Sequence, residues 1–177
     1  MRHIMIDLET LSSRPDAYIL AIAAQVFDPH TGKSGEAVHW NLSQSHQESR
    51  HIDPGTVRWW FQQSRQAQLA AFAEPQHDLP SALAALASLC RRHRIKRVWC
   101  KGPSFDAVIL EHAYRATGID CPWWFHQTRD VRTILEVAQI RADTPASHLA
   151  AEDVAQQIRL VCQAFQAVWI VKPTEET

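Results

Sequence analysis

The sequence predicts an α/β fold in which helices pack on a mixed β-sheet. Three N-terminal stretches rich in β-forming residues are joined by short connections, which predicts a three-stranded antiparallel meander. After them, helical stretches alternate with a further short strand, which is typical of parallel strands with flanking helices. The chain has 177 residues, of which 46% are apolar and 21% charged, as in ordinary globular domains.

The order of the elements follows from periodicity and turn residues. The predicted strands span residues 4–7, 18–27, 36–42 and 97–100. The predicted helices span residues 54–62, 64–73, 81–94, 105–117, 131–138 and 150 to about 170. We expect a single domain over residues 1–171, followed by a short polar tail at residues 172–177.

Charge and cysteine usage exclude several classes of protein. The formal net charge is −1, which argues against a basic coat protein for nucleic acid. The four cysteines form no C-x-x-C pair, so reduced thiols are expected in place of a disulfide scaffold or zinc ribbon. Asp7 comes too early for a signal peptide, and no apolar run reaches the ~18 residues of a membrane span. We therefore expect a cytoplasmic protein that does not enter a membrane.

Two carboxylates lie at the end of the first predicted strand. Asp7 and Glu9 are two residues apart, so a strand directs both side chains to the same face. Buried together they would repel each other, and a divalent cation such as Mg²⁺ or Mn²⁺ would remove that cost. The alternative is a frayed strand end with two solvated acids.

Two further acidic positions follow along the chain. Asp106 begins a helix just after the strand at residues 97–100, where it either favours the helix dipole or joins Asp7 and Glu9. Convergence requires that the two strands be parallel and adjacent. His148 and Asp153 stand at the entrance to the last helix, and they converge if His148 lies in the preceding loop. Otherwise they are a surface histidine and a helix-terminal acid.

Together, the motifs around Asp7, Asp106 and Asp153 resemble those of the DEDD superfamily of 3′–5′ exonucleases, which have the ribonuclease-H-like fold. The matching segments are Met5-Ile6-Asp7-Leu8-Glu9-Thr10, Gly102-Pro103-Ser104-Phe105-Asp106 and His148-Leu149-Ala150-Ala151-Glu152-Asp153. The H-x4-D spacing is that of the His-type branch (DEDDh, DnaQ-like). The chain is also similar to a phage and bacterial group of exodeoxyribonuclease-VIII-like enzymes and Rv2179c-like exoribonucleases.

The resemblance implies a reaction and a role for each residue. Asp7, Glu9, Asp106 and Asp153 would hold two Mg²⁺ or Mn²⁺ ions, and His148 would be the general base. Water would attack the terminal phosphodiester of a single-stranded RNA or DNA 3′ end and release a 5′-mononucleotide. A homodimer is expected by the same analogy. The alternative is a non-catalytic nucleic-acid-binding or scaffold protein on the same fold.

Four residues are expected to contact the substrate. The resemblance implies that Thr10 and Leu11 cradle the terminal nucleotide, while Phe105 is a candidate for stacking. Lys101 follows the strand at its carboxyl end and is expected to contact a phosphate. The other basic residues between positions 91 and 97 are interpreted as a solvated helix end that complements the dipole, and the alternative is a nucleic-acid-binding patch.

Overall fold

A computed structural model describes residues 1–141 and 147–169 and contains one five-stranded mixed sheet. The strands are β1 (His3–Thr10), β2 (Ile19–Phe27), β3 (Ser34–Asn41), β4 (Arg97–Cys100) and β5 (Thr128–Asp130). Their order in the sheet is β3-β2-β1-β4-β5. The β1–β2 and β2–β3 pairs are antiparallel, whereas β1–β4 and β4–β5 are parallel. The predicted meander and mixed sheet are therefore confirmed.

Six α-helices accompany the sheet in the described part of the chain. They are α1 (Pro54–Trp60), α2 (Arg65–Ala71), α3 (Leu79–Arg92), α4 (Asp106–Thr117), α5 (Val131–Val137) and α6 (Ala150–Trp169). Helix α3 begins two residues earlier than predicted because the Asp78 side chain accepts the Ser81 N–H and caps it. The predicted tail at residues 172–177, and most of the loop predicted at residues 141–147, lie outside the described residues.

The sheet is covered on both faces, and the two-residue period of β1 divides its side chains between them. Ile4, Ile6 and Leu8 pack in the core formed with α3 and α4. Met5 lies on the opposite face, in a second core formed with α5 and α6. Because Asp7 shares the face of Met5, its carboxylate lies on the α6 side of the sheet.

The strand β5 is a feature that the sequence analysis missed. It has three residues and follows a short 3₁₀ turn at Phe125–Gln127. Its register pairs Trp99 with Arg129 and Cys100 with Asp130. A strand this short carries no periodic signal, and its pairing with β4 makes it part of the sheet.

None of the described helices has the length and apolarity needed to cross a bilayer.

Candidate active site

The site lies at the carboxyl ends of β1 and β4. The parallel register pairs His3 with Arg97 and Met5 with Trp99, so both strands end at the same edge of the sheet. Beyond Met5 the shorter β4 soon ends, and β1 continues alone on that side through Asp7 and Glu9. Glu9 is only 7% exposed, so the pair does not form a solvated strand end.

Asp106 lies beside β1 at the point where the neighbouring strand β4 has already ended. It is the first residue of α4, is buried, and its Oδ1 accepts the Leu8 backbone N–H at 3.1 Å. A ladder hydrogen bond that β4 is too short to make is thus replaced by a side-chain bond. The strands β1 and β4 are parallel neighbours, as convergence of the acids requires. Asp106 therefore lies close to Asp7 and Glu9.

Asp153 enters from α6 and organises the segment before that helix. Its carboxylate accepts the Ser147 and His148 backbone N–H groups, each at 2.9 Å, and the Ser147 hydroxyl at 3.2 Å. His148 has a φ of 56° and precedes the helix, which begins at Ala150. The loop position therefore brings His148 back over Asp153. Glu9, His148 and Asp153 each offer a ligand atom within 4.8 Å of the others.

The carboxylates are crowded and poorly solvated. Burial raises the pKa of Asp7 to about 7, with Asp153 adding to the effect, although the Gln157 amide and Lys101 oppose it. Burial and the charges of Asp7, Asp153 and Asp106 raise the pKa of Glu9 to about 9. Burial and Asp7 also hold the pKa of Asp106 well above its usual range. The site thus contains more negative charge than its own cations neutralise.

This donor set fits a divalent metal ion. Buried oxygen ligands that repel one another are the environment in which Mg²⁺ or Mn²⁺ binds, and the proximity of Glu9, His148 and Asp153 provides a place for it. Asp7 and Asp106 border the same position, since each acts on the pKa of Glu9.

Gln157 is a site residue that the sequence analysis missed. Its Nε2 donates to Asp7 Oδ1 at 2.9 Å, and the side chain is almost fully buried. Its Oε1 is buried and has no hydrogen-bond partner among residues 1–141 and 147–169. Gln157 lies four residues after Asp153, on the same face of α6, so the helical period was a signal that could have found it.

Two tryptophans of α1 also belong to the site. The Trp59 ring meets the His148 ring edge-on at a centroid distance of 4.8 Å, and the Trp60 ring lies 6.4 Å from it. Trp60 is buried and donates its Nε1–H to the Thr10 carbonyl at 2.9 Å. The two rings therefore form an aromatic surface beside the candidate base.

The predicted substrate residues occupy different surroundings. Thr10 is buried and donates its hydroxyl to the Ser12 carbonyl at 2.7 Å, while Leu11 lines an apolar cavity of about 260 Å³ together with Trp60. Lys101 lies close enough to Asp7 for its charge to lower the pKa of that carboxyl group. Phe105 is half-buried against the core on the α3 and α4 face, so its stacking role stays a prediction.

A second cation, Arg132, supports the loop that carries Lys101. The Arg132 guanidinium donates to the Lys101 carbonyl, and its charge lowers the pKa of Asp106. Gly102 has a φ of 121°, and a Cβ at this position would lie 2.6 Å from Arg132 Nη1. Only glycine fits both the backbone conformation and the close guanidinium. The contact of Arg132 depends on the packing of α5 against this loop, which local periodicity does not predict.

Comparisons with solved structures show the same fold at low sequence identity. The nuclease domain of 3′hExo, a DEDDh family member bound to rAMP, superposes with a TM-score of 0.62 at 11% identity, covering 99% of this chain and 96% of that chain. E. coli exonuclease I in complex with a dA16 oligonucleotide gives 0.62 at 16% identity, over 94% of this chain and 42% of that chain. S. pombe Pop2p, in a form with Mg²⁺ and Mn²⁺ bound, gives 0.58 at 12% identity, over 98% and 86%.

The sequence comparison is more specific than the structural one. No curated protein matches the chain. Residues 2–165, however, match the family described as the 3′–5′ exoribonuclease Rv2179c-like domain. This match covers the five strands and the six helices of the described chain, up to the last turn of α6. The expected resemblance is confirmed, and the chain belongs to the 3′–5′ exoribonuclease Rv2179c-like family.

Proposed function

We propose that the protein is a metal-dependent exonuclease that shortens single-stranded RNA from its 3′ end and releases 5′-mononucleotides. The observation that carries the proposal is the convergence of four carboxylates and one histidine at one edge of the sheet. Family membership supports RNA as the substrate, and single-stranded DNA is the second substrate to test.

The carboxylates of Asp7, Glu9, Asp106 and Asp153 would hold two divalent ions, Mg²⁺ or Mn²⁺. Such ions, when bound, activate the attacking water and stabilise the leaving 3′ oxygen. The burial and mutual repulsion of these acids support the assignment, because a cation would offset the desolvation and repulsion that raise the pKa of Asp7 and Glu9. Gln157 would keep Asp7 in a fixed orientation through its 2.9 Å hydrogen bond.

His148 would accept the proton of the attacking water. Imidazole is the side chain best suited to proton transfer near neutral pH. Its position is fixed from two sides, by the backbone hydrogen bond to Asp153 and by the edge of Trp59. The ring therefore stays over the carboxylates without relying on a contact to substrate.

The terminal nucleotide would lie between Leu11 and the carboxylates. Trp60 fixes the backbone of Thr10, so the adjacent Leu11 presents a rigid apolar surface to the nucleotide. Lys101 would contact a phosphate, since it follows β4 at its carboxyl end and its charge reaches Asp7. Phe105 is the remaining candidate for stacking on a base.

We further propose a cytoplasmic location and a homodimeric state. The location is supported by the four cysteines, all of them free thiols. The homodimer rests on analogy with the exonuclease superfamily alone. Sedimentation of the purified protein measures the oligomeric state directly, and a monomer at working concentration would contradict the second proposal.

The test is a matched pair of 5′-labelled single-stranded oligonucleotides, one RNA and one DNA, each incubated with Mg²⁺ or Mn²⁺. We expect stepwise shortening from the 3′ end, faster on RNA, abolished by EDTA and by Asp7→Asn. Internal fragments would indicate an endonuclease. Binding without any shortening would favour a non-catalytic nucleic-acid-binding protein on the same fold.

A further inference from the structure

A basic and aromatic surface lies at the opposite end of the same strands, where β4 and β5 begin. It consists of Lys96, Arg97, Trp124, Phe125 and Arg129, and we call it the upstream surface. Trp124 and Phe125 are 71% and 79% exposed, so the two large rings face solvent. Lys96 is exposed as well, and both arginines are half-exposed.

Hydrogen bonds hold the upstream surface together. Gln127 accepts the Trp124 backbone N–H at 2.8 Å and donates to the Lys96 carbonyl at 3.3 Å, which fixes the aromatic turn beside β4. The Arg129 guanidinium donates to the carbonyls of His126 and Thr128. The aromatic residues and the cations are therefore parts of one preorganised surface.

The cations of this surface form no ion pair within the part of the chain that the structure describes. None of the ion pairs in residues 1–141 and 147–169 involves Lys96, Arg97 or Arg129. The two arginines also repel each other, and the pKa of Arg129 is lowered by partial burial and by Arg97. Arg92, by contrast, pairs with Glu36 at 2.6 Å, as expected of a solvated helix end.

Resting on the proposed function, we propose that the upstream surface binds the 5′-ward part of a single-stranded RNA whose 3′ end occupies the carboxylate site. Unpaired cations beside exposed aromatic rings complement both the phosphates and the bases of a single strand. The rings would stack on bases without sequence preference.

The edge of β5 runs from the upstream surface toward the carboxylate site. β5 is the last strand of the sheet, with β4 as its one neighbour in the described chain. Arg129 lies in this strand, and Arg132 and Lys101 lie together beyond its far end. Cations therefore mark both ends of the path that a strand would follow along this edge.

The distance between the carboxylate site and the upstream surface sets the shortest RNA that can contact both. Arg97 pairs with His3, which is four residues before Asp7, so the two places are roughly 13 Å apart at ~3.3 Å per residue. The aromatic turn lies somewhat further from the carboxylates. At ~3.4 Å per stacked nucleotide, a strand needs about five nucleotides to reach the upstream surface. A trinucleotide would occupy the carboxylate site alone.

The experiment compares a labelled trinucleotide with an RNA of about 15 nucleotides, using the double variant Lys96→Glu, Trp124→Ala. Both side chains are exposed, so folding is not at risk. We expect KM for the long RNA to rise about tenfold, with kcat/KM for the trinucleotide changed less than about twofold. The salt dependence of long-RNA binding, measured in EDTA, should weaken by ~0.7 in log–log slope for each phosphate that the variant no longer neutralises.

Lys33→Glu is the matched control, because Lys33 is an exposed lysine in the turn between β2 and β3, three strands away from β5. Equal losses on both RNA lengths, or no loss on either, would overturn the proposal. A variant that sediments as a smaller species than the wild type would assign the surface to a contact between copies and also overturn it. If neither protein cleaves RNA, the binding measurement in EDTA still decides the inference, whereas the proposed function alone fails.

Discussion

The two ends of β1 and β4 carry opposite chemistry. At the carboxyl ends, Asp7, Glu9 and Asp106 are crowded in a site where burial raises the pKa of each. At the amino ends, Lys96 and Arg97 remain at the surface, where water stabilises their charge. The same parallel pairing thus places buried acids at one end of the strands and exposed cations at the other.

The difference lies in which charges are desolvated. A buried cluster of like charges is costly and is retained where a ligand compensates it. An exposed cluster costs little and acts mainly on the rate and affinity of binding. We therefore expect changes at the carboxyl ends to affect the chemical step, and changes at the amino ends to affect the binding of long substrates.

The largest effect is expected from Asp106→Asn. The amide keeps an oxygen that can accept the Leu8 N–H, so the helix and strand stay in place, while the negative charge is lost. We expect the rate of 3′ shortening to fall about 10³-fold at saturating Mg²⁺. Asp120→Asn is the control, since Asp120 is exposed at the opposite end of α4. Similar rates in the two variants would remove Asp106 from the site.

His148→Asn tests the general base at a position with positive φ, which asparagine tolerates. We expect kcat to fall about 10²-fold and the acidic limb of the pH–rate profile to flatten. His46→Asn is matched to it, because His46 is an exposed histidine with a φ of 65°. An unchanged pH profile in His148→Asn would mean that the ring is a metal ligand or a structural group.

Glu9→Gln tests the cost of buried charge in metal-free protein. The pKa of Glu9 is raised from 4.5 to about 9 on folding, so between these values the folded state retains a proton that the unfolded state releases. The free energy of unfolding therefore falls as pH rises across this range. We expect Glu9→Gln to be more stable than wild type in EDTA at pH ~8.5, and its pH slope to be smaller by about 1 kcal/mol per pH unit.

Denaturant unfolding in EDTA at several pH values between about 6.5 and 8.5 measures this difference. Glu74→Gln, at an exposed position, is the control and should keep the wild-type slope. Added Mg²⁺ should stabilise wild type more than Glu9→Gln, because a ligand that binds only the folded state raises its stability. Parallel slopes for wild type and Glu9→Gln would contradict the assigned strain.

The smallest effect is expected from Gln157→Ala. Loss of the hydrogen bond frees the Asp7 side chain, and we expect activity to fall about tenfold or less, as for other groups that orient a ligand. The fall should be largest at low Mg²⁺ concentration. Gln163→Ala, which removes an exposed glutamine of the same helix, should have no effect. An equal fall in both variants would indicate a general effect on α6.

Local patterns were sufficient where a role depends on neighbours in sequence. The two-residue period placed Asp7 and Glu9 on one face of β1, and the position of His148 before α6 allowed it to meet Asp153. The motif spacing also identified the exonuclease family over nearly the whole chain. The catalytic and metal-binding roles of these residues stay predictions until they are tested.

Other features depended on contacts between distant segments. Trp59 and Trp60 have no sequence signal for meeting His148, because α1 reaches it only through the packing of the folded chain. The strand β5 is too short for a periodic pattern. Arg132 of α5 donates a hydrogen bond to the carbonyl of Lys101, which follows β4, and this contact also joins distant segments. The sequence pattern does not distinguish the basic residues at positions 91–97 from one another, whereas in the structure Arg92 pairs with Glu36 and the Lys96 carbonyl accepts a hydrogen bond from Gln127.

The sequence by itself determined the order of the elements, the face of each strand and the identity of the acids, because these follow from local periodicity and motif spacing. The tertiary structure decided that β1 and β4 are parallel neighbours. This pairing brings Asp106 Oδ1 within 3.1 Å of the Leu8 backbone nitrogen. It also decided which charges are buried, and therefore which pKa values are raised. Burial arises from the packing of segments far apart in the chain, and no local pattern encodes it.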